Sequence, residues 1–123
     1  MRRKYSVFLV FAVLVLLLVS CDNLDSNERS VVTAVVSVAD RFKDPSSVRI
    51  TTAWIRSNGD IDATISARNS FGGIVSDSYR IKKTSYGYSL GEKIIIPIGD
   101  VLITDVSKVN SAIEKELSKK YSR

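Results

Sequence analysis

The chain contains no histidine and only one cysteine among its 123 residues. Without histidine it cannot form the serine–histidine or cysteine–histidine pairs that activate a nucleophile. One cysteine can neither close a disulfide within one copy nor complete a cysteine–histidine zinc site. The composition is otherwise typical of one globular domain, with 45% hydrophobic and 25% charged residues. We therefore expect a single non-enzymatic domain with no metal or other cofactor.

Positive charge is in modest excess, and much of it stands at the start of the chain. There are 18 lysine and arginine residues against 13 aspartate and glutamate residues. Three of the cations, Arg2, Arg3 and Lys4, precede a long apolar run, and the remainder of the chain carries an excess of only two. Nucleic-acid binding requires a basic stripe on the folded domain. The sequence therefore does not predict a nucleic-acid partner.

The first 20 residues have the organisation of a secretory signal. Residues 7–19 are all Val, Phe, Leu or Ala and follow the three cations after Tyr5 and Ser6. Residues 5–20 carry no charge, but as a helix they cover roughly 24 Å, less than the ~30 Å hydrocarbon core of a bilayer. Acidic residues follow, beginning with Asp22, and this charge order predicts that the downstream chain is exported.

Leu18-Val19-Ser20-Cys21 resembles the lipobox of bacterial lipoproteins. This resemblance covers only the first 21 residues, and it implies that the thiol of Cys21 receives a diacylglyceryl group. It also implies cleavage just before Cys21, with Leu18, Val19 and Ser20 as the signal-peptidase recognition residues. Two or three palmitate-like chains, at ~0.8 kcal/mol per buried methylene, would anchor the protein on the non-cytoplasmic side of the cell membrane. An uncleaved anchor or a soluble export signal, with Cys21 present by chance, is the alternative.

The remaining chain alternates between helical and strand patterns. Apolar residues recur every three or four positions between Glu28 and Phe42, and Asp44-Pro45 ends that helix. Strand patterns cover 48–55, 61–67, 74–82 and 93–98, and a second helix starts after Asp105, a plausible N-cap. The sequence predicts an α+β fold with an N-terminal helix, a three- to four-stranded antiparallel sheet and a C-terminal helix. The predicted divisions are a signal peptide (1–20), a lipidated tether (21–27) and a small domain (28–123).

Two segments of the predicted domain carry a second resemblance. Residues 42–48 (FKDPSSV) and 67–73 (ARNSFGG) are similar to segments found together in a loose group of small, uncharacterised exported bacterial domains. The resemblance covers about residues 31–80. It departs from the group at Ser66-Ala67-Arg68, where the group usually has Asn-Ala-Lys, and in lacking the group's cysteine before that point. It implies the fold and no activity.

Acidic and glycine-rich segments offer little chemistry. Asn58, Asp60 and Asp62 stand close together, but the terminal glutamate of a calcium loop is missing and Asn58-Gly59 predicts a hairpin turn. Asp60, Asp62 and Asp77 could pair for acid–base hydrolysis, although carboxylates across a hairpin are usually solvated. Phe71-Gly72-Gly73 is too short to cradle phosphates, and we expect its glycines to permit a positive φ.

Aromatic and cationic residues alternate along the predicted strands and could form a face that binds an anionic polymer or lipid headgroup. The competing interpretation, which we favour, has the aromatic rings directed inward and the cations in water. If a ligand face exists, we expect it at Trp54, Arg56, Tyr79, Arg80, Lys82, Tyr86 and Tyr88.

Together these patterns predict a membrane-anchored bacterial lipoprotein that acts as a non-catalytic binding or interaction module at the cell envelope. Its expected partners are the membrane, through the lipid on Cys21, and an envelope protein or anionic envelope polymer. A phage-exclusion or toxin-immunity lipoprotein is the alternative, and a hydrolase that uses carboxylates alone is a third.

Overall fold

The computed structural model describes residues 23–122. The predicted signal peptide and Cys21 lie outside the described residues. The α+β prediction is confirmed, and the sheet has five strands instead of three or four. The elements are α1 (Ser26–Val38), β1 (Arg49–Ile55), β2 (Ile61–Arg68), β3 (Ile74–Thr84), β4 (Gly87–Lys93), β5 (Val101–Leu102) and α2 (Val106–Tyr121), with short 3-10 turns at Ala39–Arg41 and Pro45–Ser47.

The sheet is antiparallel, with strand order β4-β3-β2-β1-β5. Because successive residues of a strand point to opposite faces, Ile61, Ala63 and Ile65 of the central strand β2 all point to the same side, where they are buried. Both helices pack on this side, and their apolar stripes complete a single core. The other face of the sheet has no helix on it among the described residues, and we call it the open face.

Helix α1 begins earlier than the sequence predicts. The N–H of Glu28 donates to Asp25 Oδ1 at 2.8 Å, and the N–H of Asp25 donates to Glu28 Oε1 at 3.0 Å, which forms a capping box. Leu24, just before the cap, is part of the core. Residues 24–27 of the predicted tether therefore belong to the folded domain.

The two helices run parallel to each other, with their first turns at the same end of the domain. Lys108 Nζ, in the first turn of α2, lies 2.9 Å from Glu28 Oε1 and 3.2 Å from the carbonyl oxygen of Asn23. The hydrogen bond to Glu28 raises the pKa of the Lys108 amine. At the other end, Lys120 Nζ lies 3.3 Å from the carbonyl oxygen of Val36.

The predicted strand at 93–98 is wrong, because the strand occupies Gly87–Lys93 and residues 94–98 are irregular. Two glycines, a residue type that weakens strands, are accommodated by this part of the sheet. Gly87 (φ +138°) completes a tight hairpin with β3, in which Thr84 pairs with Gly87. Gly91 lies at an irregularity in the β3–β4 register, where an added Cβ would fall 2.6 Å from the carbonyl oxygen of Arg80.

Candidate functional site

A connecting segment crosses the open face of the sheet. Strands β4 and β5 lie at opposite edges, and residues 94–100, which we call the crossover, join them. The crossover begins with a hydrogen bond from Ile94 N–H to the carbonyl of Ser78 (2.9 Å). It ends with one from Asp100 N–H to the carbonyl of Ile55 (2.9 Å). Between these points, the backbone N–H of Ile98 donates to Asp62 Oδ2 at 3.2 Å.

Asp62 is the centre of a buried ionic cluster beneath the crossover. Its side chain has no solvent exposure, and it points to the open face because Ile61 and Ala63 point to the helices. The Arg80 guanidinium contacts it in bidentate fashion, with Nε 2.8 Å from Oδ1 and Nη2 3.0 Å from Oδ2. The guanidinium of Arg56 also contacts the carboxylate, with Nη1 3.3 Å from Oδ2.

The Asp62 carboxylate is held in its ionised form. Burial by itself raises the pKa of Asp62, but the hydrogen bonds from Arg80 and Ile98 and the charges of Arg80 and Arg56 outweigh burial, and the net pKa lies below the ordinary value. A carboxylate whose lone pairs are engaged by four donors is suited to holding structure together. Asp62 therefore fastens the crossover to the sheet through Ile98.

The crossover directs three isoleucines into solvent. Ile95, Ile96 and Ile98 are 96%, 73% and 61% exposed, and we call them the isoleucine ridge. The backbone beside them lies close against the sheet, because a Cβ on Gly99 would fall 2.8 Å from both the carbonyl oxygen of Ile55 and Cβ of Trp54. An apolar patch that is both exposed and fixed in place is typical of an interaction surface.

The seven residues predicted as a ligand face do not share one surface. Register and alternation place Trp54, Arg80 and Lys82 on the open face. Tyr79 and Tyr88 lie on the helix-covered face, where they pack against the core. The other two lie at strand ends: Arg56 follows β1 and joins the Asp62 cluster, and Tyr86 is fully exposed in the β3–β4 turn.

Cations near the open face are paired with acids of the same domain. Glu92 lies 3.6 Å from Arg80 and 4.0 Å from Lys82, measured from its carboxylate oxygens to their nitrogens. On the other face, Lys93 pairs with Asp77 at 3.4 Å. The basic residues of the predicted ligand face are thus largely compensated, which weakens the electrostatic attraction this face can exert on an anionic polymer.

The two segments that carry the second resemblance meet at one corner of the domain. Ser47 Oγ accepts a hydrogen bond from the N–H of Arg68 at 2.8 Å and donates one to the carbonyl oxygen of Asp44 at 2.7 Å. A small cavity of about 110 Å³ lies at this corner. Its lining includes Phe42, Lys43, Ala67, Asn69, Val75 and Tyr79.

The loop after β2 presents an exposed aromatic ring at this corner. Asn69 closes the loop, because its Oδ1 accepts from the N–H groups of Phe71 and Gly73 at 3.0 Å each. Gly72 has φ +84°, as expected for a glycine turn. The Phe71 side chain is 97% exposed as a result.

The acidic residues singled out in the sequence do not come together. Asp62 and Asp77 point to opposite faces of the sheet. Asp60 lies in the β1–β2 turn, where it accepts from the N–H of Lys83 (2.9 Å), and Gly59 has φ +92° as the predicted turn requires. Across residues 23–122, no three acidic or cysteine side chains form a group suited to a metal ion.

Sequence reasoning missed the two main features of the open face. Asp62 was expected in solvent because it alternates with Ile61 and Ala63, and the sequence does not show that the crossover buries it. Ile95, Ile96 and Ile98 were expected in a strand because β-branched residues are typical of strands. Pro97 was the available signal for irregular structure.

No protein-family model matches the chain, and neither a curated protein nor a solved structure is detectably similar to it. None of the helices described within residues 23–122 is both long and apolar enough to cross a membrane.

Proposed function

We propose that this protein is a membrane-anchored bacterial lipoprotein, attached through lipid on Cys21, that acts as a non-catalytic interaction module at the cell envelope. The anchor rests on the lipobox-like Leu18-Val19-Ser20-Cys21, and the observation that carries the interaction role is the isoleucine ridge. Three large apolar side chains stand in solvent on a segment that a buried ionic cluster fastens in place. Exposing them is unfavourable at roughly 25 cal/mol per Å² of apolar surface, and a partner that covers them recovers this free energy.

The chemistry of the ridge favours a protein partner over an anionic polymer. Isoleucine offers apolar contact and no hydrogen bonds, which suits a complementary apolar protein surface. Arg56 and Arg80, the cations beneath the crossover, already bind Asp62. The Asp62 cluster fixes the backbone on which the ridge stands, so a partner would meet a surface that needs little further ordering.

A photo-crosslinking residue at position 95 of the full chain, expressed in living cells, tests the interaction. The matched control carries the same residue at Ser118, which is exposed on α2. We expect one discrete protein adduct from position 95, none from position 118, and loss of the position-95 adduct when Ile96→Asp is added. Absence of an adduct at position 95, or the same adduct at both positions, would contradict an interaction through the ridge.

The anchor is tested separately by cell fractionation of Cys21→Ser. We expect the variant to leave the membrane fraction or to accumulate with an uncleaved leader, because the acyl chains have no thiol to join. Correct processing together with unchanged membrane retention would show that Cys21 is not the point of attachment.

A further inference from the structure

The distance between the anchor and the domain is short, which restricts how the domain sits on the membrane. This step rests on the proposed lipidation of Cys21. Only Asp22 separates Cys21 from Asn23, and two residue steps of extended chain span at most ~7 Å. Asn23 is already fixed to the domain, because its carbonyl accepts from Lys108 Nζ and Leu24 after it is in the core. The linker between the lipid anchor and the domain is therefore too short to let the domain move away from the membrane.

The end of the domain that carries Asn23 is built from the first turns of α1 and α2. The Lys108–Glu28 ion pair holds these turns together. The exposed side chains of this end are polar or acidic: Asn27, Thr104 and Ser107 are uncharged, and the N-cap residues Asp25 and Asp105 carry carboxylates. Such side chains suit the headgroup layer of a bilayer better than its hydrocarbon core. The positive ends of both helix dipoles also lie here, and the carboxylates of the N-caps Asp25 and Asp105 already compensate them, so the orientation rests on the short connection to the anchor.

The Phe71 loop lies at the opposite end of α1. Helix α1 has 13 residues and is about 20 Å long at ~1.5 Å per residue. Beyond its C-terminal end, Phe42 packs edge-to-face on Tyr79 with ring centroids 5.6 Å apart. Phe42 lines the same small cavity as Asn69, which closes the loop.

We infer that the domain stands directly on the phospholipid headgroups of its own membrane, with the first turns of α1 and α2 in contact with lipid and the Phe71 loop directed away. The membrane-contacting surface is made by polar and acidic residues: Asn23, Asp25, Asn27, Thr104, Asp105 and Ser107. The corner where residues 42–48 meet residues 67–73 is then presented to the aqueous space about one helix length from the bilayer.

Two isosteric cysteine variants test this orientation in the lipidated full chain. Ser107→Cys labels the end expected at the membrane, and Ser70→Cys labels the distal loop; both serines are exposed. Because Cys21 is the single native cysteine and its thiol is consumed by the lipid, each variant has one free thiol for a fluorophore. The protein is reconstituted in phosphatidylethanolamine–phosphatidylglycerol vesicles that contain a phospholipid with a headgroup nitroxide quencher.

We expect several-fold stronger quenching of the label at position 107 than of the label at position 70. A flexible Gly-Ser insertion of about 12 residues between Asp22 and Asn23, with an end-to-end reach of ~20 Å, should remove most of the difference. Equal quenching of both labels in the unmodified chain, or stronger quenching at position 70, would overturn the orientation.

The same samples separate failure of the orientation from failure of the proposed anchor. If Cys21 carries no lipid, each variant reacts with two equivalents of label, whether it floats through an uncleaved leader or stays in solution, and both proposals fall. If one equivalent reacts, the protein floats and the two labels are quenched equally, only the orientation is wrong.

Discussion

Removal of the Asp62 carboxylate is the most informative perturbation of the fold. Asp62→Ala deletes an acceptor that receives two hydrogen bonds from Arg80, one from Arg56 and one from the backbone of Ile98. Two guanidinium groups lose their counter-ion, and the crossover loses its attachment to the middle of the sheet. We expect both a loss of stability and a loosening of the isoleucine ridge.

The magnitude follows from the burial of the cluster. Removing one partner of a buried ion pair costs about 3–5 kcal/mol of unfolding free energy. The side chains of Arg80 and Arg56 are 25% and 32% exposed to solvent, so water can partly hydrate them when the carboxylate is removed. We therefore expect about 3 kcal/mol, at the lower end of that range.

Urea unfolding of the full chain in mild detergent measures this change. Trp54, the single tryptophan, contacts the crossover near Gly99 and reports on it through its fluorescence. Asp77→Ala is the matched control, because it removes an aspartate from β3 whose ion pair with Lys93 is exposed, and we expect it to cost under ~1 kcal/mol. If Asp62→Ala costs no more than Asp77→Ala, the cluster does not hold the crossover as described.

Three further outcomes are expected. The folded pKa of Asp62 lies below its unfolded value of about 3.9, so the carboxylate's contribution to stability is complete at neutral pH and is lost as the pH falls through the folded pKa. The difference in unfolding free energy between wild type and Asp62→Ala should therefore narrow only below about pH 4. Asn110→Ala should cost about 2 kcal/mol in urea unfolding, since the Asn110 amide satisfies both the N–H and the carbonyl of Ile50, and a cost near zero would contradict this role. Gly72→Ala should lower stability by about 1 kcal/mol through backbone strain alone, whereas Gly73→Ala, at ordinary φ, should have little effect on the thermal midpoint.

Local patterns predicted most of the fold. The period-two alternation from Ile61 to Ala67 identified a strand with one buried face, and Asn58-Gly59 identified the turn before it. The start of α1 could also have been predicted, because Asp25-Ser26-Asn27-Glu28 has the spacing of a capping box, although the first three of these residues were assigned to the tether.

The features that long-range contacts create could not be read from the sequence. Asn110 hydrogen-bonds to the backbone of Ile50 beside a register shift in β1, and no local sequence pattern indicates this contact. Asp62 lies on the face of β2 that has no helix over it, and it is buried only because the crossover covers it. The isoleucine ridge has strand-like composition, and only the topology, which sends this segment across the sheet, leaves it without a partner strand.

Intact-mass and N-terminal analysis of the native protein extracted from membranes determines whether Cys21 carries the lipid anchor. We expect a chain that begins at Cys21 with a diacylglyceryl thioether on its sulfur. A product that still begins at Met1, or one that carries a free thiol at Cys21, would contradict it.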